Sequence, residues 1–177
     1  YVAGKSFDEF FSIASVNDIE FVISTLFDYF DTLISTARNV DATKQILDKL
    51  DSLKEKSSYP KYIEFLRKYV EDNRMIVPHT FCHGDLTFAN IIFHQNRLFF
   101  IDFLDCYVDT FLSDLVKLKQ DLHHLWAVKN QDVYTVRIHQ IYEYIWDKLE
   151  VRYADYMTES FHILDVINAL RIEPYLT

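Results

Sequence analysis

The segment HGDLTFAN at residues 83–90, followed by FFIDF at residues 99–103, lies where the periodicity of the chain changes. Before residue 77 and after residue 109, apolar side chains recur every three or four positions, which is typical of amphipathic helices. Between these blocks the apolar runs are short and continuous, which favours strands. The sequence therefore predicts an α+β fold that is mainly helical, with a small β-hairpin insert between two helical blocks.

The helical blocks carry clear start signals. Capping-box patterns at residues 6–9 and 17–20 predict the beginnings of the first two helices. Two more helices are predicted to begin near Asp41 and at Pro60, because proline is well tolerated in a first helical turn. After the insert, helices are predicted from Leu112 to Trp126, Val133 to Leu149 and Glu159 to Leu170.

The insert is predicted to hold a short strand at residues 80–82 and a hairpin. The hairpin strands are residues 90–93 and 98–101, joined by a turn at 94–96, so Asn90 and Asp102 meet at one end. An aspartate within an apolar run is costly to bury unless it is paired or binds a metal. A carboxylate and an amide oxygen are ligands that Mg²⁺ accepts beside water and phosphate oxygens.

A second carboxylate, Asp85, follows Gly84 in the loop after the predicted strand. It lies one loop away from the Asn90–Asp102 pair, where it can receive or orient a substrate hydroxyl. Phosphoryl transfer requires this division of labour, with metal ligands for the phosphate charge and a separate carboxylate for the nucleophile. The residues thus indicate phosphoryl-transfer chemistry.

In residue types and spacing, HGDLTFAN and the downstream Ile101-Asp102-Phe103 resemble the catalytic loop and metal-binding segment of the aminoglycoside phosphotransferase/choline kinase family. Members of that family are small-molecule relatives of the protein kinases. The resemblance implies a protein-kinase-like C-terminal lobe and transfer of the γ-phosphoryl group of ATP to an alcohol. The acceptor would be an amino sugar, sugar, aminocyclitol or choline-like alcohol. The choice between ATP and GTP stays open.

The same resemblance implies roles for individual residues. Asp85 would be the catalytic carboxylate, and Asn90 and Asp102 would bind the Mg²⁺ ions that bridge the nucleotide phosphates. His83 would support the loop by hydrogen bonds rather than act as an acid or base. Asp114 resembles the aspartate at a helix start that braces the loop from behind, although a simple charge at a helix N-terminus explains it nearly as well.

The resemblance covers residues 1–177 as one domain, the catalytic and substrate lobe. A phosphate-covering loop, a strand lysine and a helix glutamate, which form the N-terminal nucleotide lobe of such kinases, are not found in the sequence. We therefore expect a chain that lacks the N-terminal lobe, binds nucleotide weakly on its own and turns over little.

The acceptor site is less well defined by the sequence. Four residues near the predicted catalytic loop are the main candidates for substrate binding: Asp105, Lys117, Asp121 and Arg171. A competing interpretation of Lys117 and Asp121 is an ion pair on a solvated helix face, because the two residues are four apart. Trp126, Tyr142 and Trp146 could form a choline-binding aromatic cage, but their helical spacing favours core packing.

The composition limits which partners we expect the protein to bind and where we expect it to be located. The net charge is −9 and the pI about 5.1, which would repel nucleic acid and anionic membranes and suits a cationic or neutral small substrate. Two cysteines, Cys82 and Cys106, are interpreted as reduced thiols. There is no long apolar span and no signal-peptide pattern, so we predict a cytoplasmic protein whose partners are a nucleotide and a small acceptor.

Two alternatives to an active kinase remain open. One is a catalytically inactive pseudokinase or regulatory binding module; the other is a helical interaction protein in which the segment is accidental. Other enzyme classes are excluded. His123 and His124 are adjacent and cannot both face one zinc ion from a helix, and no Gly-x-Ser-x-Gly elbow exists. With only two glycines the chain has no Rossmann or P-loop motif.

Overall fold

The computed structural model describes residues 4–125 and 136–173. In these residues the chain forms seven α-helices and four strands. Their bounds are α1 (Phe7–Ile13), α2 (Val16–Ser35), β1 (Arg38–Asp41), α3 (Thr43–Lys54), α4 (Pro60–Asp72), β2 (Ile76–His79), β3 (Ile91–His94), β4 (Arg97–Phe100), α5 (Phe111–His124), α6 (Val136–Arg152) and α7 (Glu159–Ile172).

The helices begin close to the predicted positions. A capping box forms at the start of α2, but its cap is Ser15, whose hydroxyl accepts from the Asp18 amide at 3.2 Å while the Asp18 carboxylate accepts from the Ser15 amide at 2.7 Å. Helix α4 begins at Pro60, as predicted. The start predicted for α6, Val133, lies outside the described residues.

The first sheet differs from the prediction. β1 and β2 pair antiparallel, with Arg38 opposite His79 and Asp41 opposite Ile76. The strand predicted at residues 80–82 is wrong, because the strand lies at residues 76–79 and the chain is irregular beyond it. β1 was not predicted at all. Strands of four residues that pair across more than 30 positions leave little local pattern to recognise.

The predicted hairpin is present as β3 and β4, which pair antiparallel with Ile91 opposite Phe100. Gln95 and Asn96 form its two-residue turn, and both have positive φ, 47° and 55°. Such a turn matches the right-handed twist of the two strands. Because the turn is short, the register is fixed, and Asn90 and Ile101 meet at the opposite end of the hairpin.

Helix α5 lies in the core and packs against α2, α6, α7 and β2. Ten of its fourteen residues are buried, including the charged Asp114, Lys117 and Asp121. Tyr142 and Trp146 are also buried and belong to the core rather than to an aromatic cage, while Trp126 lies outside the described residues. The predicted majority of helix with a small hairpin insert is confirmed. Among the described residues, no helix is long and apolar enough to span a bilayer.

Candidate functional site

The loop at residues 83–90 is anchored in the core by its own apolar side chains. Leu86 and Phe88 are fully buried. The Phe88 ring stacks on Tyr142, with ring centroids 5.4 Å apart, and meets Phe11 edge to face at 5.1 Å. Aromatic anchors of this kind fix the path of the backbone, so the polar residues of the loop project from a rigid base.

A buried carboxylate on α5 holds the loop from behind. Asp114 accepts hydrogen bonds from the backbone amides of His83, at 2.7 Å, and Gly84, at 2.9 Å. A third bond comes from the hydroxyl of Tyr29 on α2, also at 2.7 Å. Asp114 therefore positions the loop, and it is fully buried rather than exposed at a helix start.

Burial shifts the pKa values of both Asp114 and Tyr29. Burial raises the pKa of Asp114, and the hydrogen bonds from His83, Tyr29 and Gly84 oppose that shift. Burial, followed by the charge of Asp114, raises the pKa of Tyr29 far above its usual range. Tyr29 is thus a permanent donor, and its hydroxyl supplies the third bond to the carboxylate.

Asp121 also lies behind the loop, which corrects its predicted substrate-binding role. Its side chain is fully buried and accepts from the Phe88 amide at 2.7 Å. One turn of α5 before it, Lys117 is nearly buried as well, so the solvated face with a Lys117–Asp121 ion pair is not present. Periodicity could not show this, because both faces of α5 are covered by the protein.

Gly84 is needed where the loop meets the segment after β4. Its φ is +85°, and an added Cβ would lie 2.2 Å from the carbonyl oxygen of Leu104. The Leu104 amide in turn donates to the carbonyl of His83 at 2.9 Å. Only glycine fits this crossing without a shift of the backbone.

His83 is buried, and its ring helps to shape the loop. Its Nδ1 accepts from the Asp85 amide at 3.3 Å, and its ring lies 4.2 Å from that of Phe103. Its Nε2 has no hydrogen-bond partner among the described residues. These contacts are those of a supporting residue, because the ring is fully buried.

Asp85, Asn90 and Lys117 form the polar centre of the site. Asn90 donates through Nδ2 to the Asp85 carbonyl, at 2.8 Å, and to its carboxylate, at 3.2 Å. The other carboxylate oxygen forms an ion pair with Lys117 Nζ at 2.8 Å. Asp85 is only partly exposed, so its carboxylate is held in one orientation from both sides.

Asp102 lies at the neighbouring end of the hairpin. The Ile101 amide donates to the Asn90 carbonyl at 3.0 Å, which places Asp102 one residue from this contact. The side chain is exposed, so the predicted cost of burial in an apolar run is wrong. The unusual feature is instead its φ of 59°, a left-handed backbone that few non-glycine residues adopt.

These donor groups fit a Mg²⁺ ion. The nitrogen of the Asn90 amide is bonded to Asp85, which leaves its oxygen as the atom that can bind a cation. The exposed Asp102 carboxylate supplies a charged oxygen at the same end of the hairpin. An oxygen-only set of this kind, completed by water or phosphate, suits Mg²⁺ better than zinc.

A cavity of about 140 Å³ opens beside the loop. Three of the four predicted substrate-binding residues line it: Asp105, Lys117 and Arg171. Gly84 is part of the same wall, so the cavity adjoins Asp85.

The redox state of the two cysteines differs from the prediction. Cys82 and Cys106 are joined by a disulfide instead of being reduced thiols. They are 24 positions apart, and no pattern in the sequence indicates that the segments before the loop and after Asp102 lie together. The bond links these two segments covalently.

Three other residues at the site were not predicted from the sequence. Tyr29 is 85 positions from Asp114, and Lys49 and Asn168, which also line the cavity, lie on α3 and α7. Each falls within an ordinary amphipathic helix. A polar residue on the apolar side of a helix, as at Tyr29 and Asn168, is the one signal that could have drawn attention to them.

A protein-family model matches the part of the chain that holds this site. The model of the phosphotransferase enzyme family (APH) matches residues 24–152, which include the 83–90 loop, the hairpin and all of α5. No curated protein and no solved structure gives a significant match to the chain. Because the family match covers more than half of its residues, the chain belongs to the phosphotransferase enzyme family.

Proposed function

We propose that this protein is a Mg²⁺-dependent small-molecule kinase with a protein-kinase-like C-terminal lobe. It transfers the γ-phosphoryl group of ATP to a hydroxyl group of a small acceptor. Membership of the phosphotransferase family supports the reaction class. The observation that carries the proposal is the hydrogen bond from Asn90 to the Asp85 carboxylate, with Asp102 one residue from the backbone contact between Ile101 and Asn90 and a cavity lined by Gly84 and Lys117 nearby.

In this mechanism Asp85 accepts a hydrogen bond from the acceptor hydroxyl and points its oxygen at the phosphorus. The ion pair with Lys117 and the bond from Asn90 hold the carboxylate in place, so little reorganisation is needed when the acceptor arrives. Asn90 and Asp102 would hold Mg²⁺, which when bound neutralises charge on the nucleotide phosphates. The bond from phosphorus to the β-phosphate oxygen breaks, a bond to the acceptor oxygen forms, and the hydroxyl proton leaves through Asp85.

The ion pair also favours a second candidate, a regulatory module without turnover. Lys117 occupies one carboxylate oxygen of Asp85 and could keep it from the hydroxyl. We favour the enzyme because the second oxygen, which accepts from Asn90 at 3.2 Å, has a further lone pair that can accept a bond from a hydroxyl. As further parts of the proposal, the protein is cytoplasmic, and its partners are a nucleotide and a small acceptor rather than nucleic acid or membrane.

The test is acceptor-dependent formation of nucleoside diphosphate by the full-length protein with Mg²⁺ and ATP or GTP, across a panel of small alcohols. Asp85→Asn keeps the shape of the side chain and removes its charge, and we expect it to lower the rate about 10²–10⁴-fold. The matched control is Asp28→Asn, at an exposed aspartate on α2. Equal rates for Asp85→Asn and the wild type would refute the assignment, and transfer to no acceptor would favour the regulatory module.

A further inference from the structure

The acceptor cavity has a charge of the opposite sign to the whole protein. The chain carries a net charge of −9, yet three basic side chains reach the cavity wall: Lys49 from α3, Lys117 from α5 and Arg171 from α7. A single acidic residue, Asp105, lies on that wall. Local charge rather than net charge decides what a cavity of this size attracts.

Two of the three cations lack a counter-charge within the described residues. Lys117 is neutralised by its ion pair with Asp85, at 2.8 Å. Lys49 and Arg171 form no ion pair with a described residue, Asp105 included. Lys49 instead lies over the ring of Tyr107, 5.4 Å from its centroid.

The titration of Lys49 reflects this surplus of positive charge. Burial lowers its pKa, and repulsion from Arg171 and then from Lys56 lowers it further. The two cations are therefore close enough to disfavour each other. An anion placed between them would relieve this repulsion, because each cation would gain a partner of opposite charge.

Asn168 adds a polar group that also lacks a partner. It is 5% exposed and lines the cavity. Its Nδ2 donates to Gln120 Oε1 at 2.7 Å, and the same oxygen accepts from Lys117 at 3.4 Å. Its Oδ1 is buried with no donor among the described residues. A buried acceptor without a donor is rare in folded proteins, so this oxygen indicates a ligand hydroxyl.

We propose that the acceptor is a small hydroxylated anion. Its carboxylate or phosphate group binds between Lys49 and Arg171, one hydroxyl donates to Asn168 Oδ1, and the reacting hydroxyl meets Asp85. This assignment of the substrate class rests on the proposed function. The cavity is small, since its volume of about 140 Å³ is close to that of a cavity that accommodates a single benzene ring. Its size suits an acceptor fragment of that volume, and its basic wall disfavours a choline-like cation.

Binding can be tested apart from turnover. The probes are glycerate, glycerol 3-phosphate, glycerol and choline, titrated by calorimetry into the full-length protein without nucleotide. We expect saturable binding of one or both anions, which identifies a carboxylate or a phosphate as the group, and none of glycerol or choline. Lys49→Met and Arg171→Met should each weaken anion binding about tenfold or more, because each removes a charge of the pair.

Two controls make the result specific. Lys44→Met removes an exposed lysine from the same helix α3 and should leave anion binding unchanged. Arg171→Lys keeps the charge and should retain most of the affinity. Melting curves of each variant report whether it folds. Binding of choline in preference to both anions, or the same affinity in Lys49→Met and Arg171→Met as in Lys44→Met, would overturn the inference.

A measurement of phosphoryl transfer distinguishes a failure of this inference from a failure of the proposed function. If anions bind as expected but no acceptor is phosphorylated, the anion site at Lys49 and Arg171 stands and the proposed function fails. If choline or a neutral alcohol is phosphorylated while neither anion binds, the function stands and the inference fails. If both hold, Lys49→Met should raise the KM for the anionic acceptor and leave kcat nearly unchanged.

Discussion

The 83–90 loop and the segment at residues 101–105 lie side by side, but they are held in different ways. The loop has buried side chains at Leu86 and Phe88, and its amides donate to Asp114 and Asp121 on α5. The second segment is mostly exposed. Its backbone is fixed by two hydrogen bonds, from Ile101 to Asn90 and from Leu104 to His83, and by the disulfide next to it at Cys106.

This difference matches the two duties of the proposed site. Asp85 must present its carboxylate at a fixed angle to a hydroxyl, which requires a rigid loop before the substrate binds. In the proposed mechanism Asp102 would bind a metal that arrives with the nucleotide, and its exposed side chain leaves room for such a ligand. If the proposed function is correct, helix α5 holds the acceptor side in place before binding, whereas the nucleotide side would be completed by its ligand.

The largest loss of stability is expected where the 83–90 loop touches the segment at residues 101–105. Gly84→Ala places a Cβ against the Leu104 carbonyl and keeps a φ of +85°, so both backbones must move. We expect the free energy of unfolding to fall by about 2–5 kcal/mol. Urea denaturation measures this loss. A change below about 1 kcal/mol, close to the ordinary effect of a point mutation, would mean that the two regions are not locked together here.

A somewhat smaller loss of stability is expected from a change to Asp114, which lies behind the loop. Asp114→Asn replaces one carboxylate oxygen by an NH₂ group, which then faces the donor amide of His83 or Gly84. Leaving such buried donors unpaired should destabilise the protein by about 2–4 kcal/mol. Hydrogen exchange of the His83 and Gly84 amides should accelerate as well. If those amides stay protected, Asp114 does not anchor the loop.

Removal of the third bond to Asp114 should have a moderate effect. Tyr29→Phe keeps the ring and deletes the hydroxyl that donates at 2.7 Å. Hydrogen bonds to charged groups contribute about 1.5–3 kcal/mol, so we expect a loss near the lower end of that range. Thermal melting gives the value, with Tyr59→Phe, at an exposed tyrosine before α4, as the matched control. Equal melting temperatures of the two variants would show that the hydroxyl is dispensable.

The smallest effect on stability is expected at Asp102. Its side chain is exposed, and asparagine tolerates a left-handed φ as well as aspartate does, so Asp102→Asn should change the free energy of unfolding by less than about 0.5 kcal/mol. Urea denaturation provides this comparison with Asp114→Asn. A loss as large as that of Asp114→Asn would erase the contrast between the two regions.

The sequence predicted the local parts of this molecule well. The helices around Pro60 and residues 112–125, the hairpin and the HGDLTFAN segment all have signals within a few residues of each other. Periodicity, caps and short motifs are sufficient for such features.

Features that depend on distant residues were not predictable. β1 pairs with β2 across the whole of α3 and α4, and Tyr29 reaches Asp114 from α2. The role of Asp121 depends on α5 being covered on both sides, which no single helix pattern reveals. The basic wall of the cavity was not predictable from the net charge, because Lys49 and Arg171 are brought together only by the packing of α3 on α7.

The division of duties between Asp85 and Asp102 is tested most directly by the Mg²⁺ dependence of phosphoryl transfer in the full-length protein. Asp102→Asn should shift the Mg²⁺ concentration at half-maximal rate upward by about tenfold or more, because it removes a charged ligand. Asp85→Asn should lower the maximal rate without moving that midpoint. An unchanged midpoint in Asp102→Asn, together with a shifted one in Asp85→Asn, would contradict the account.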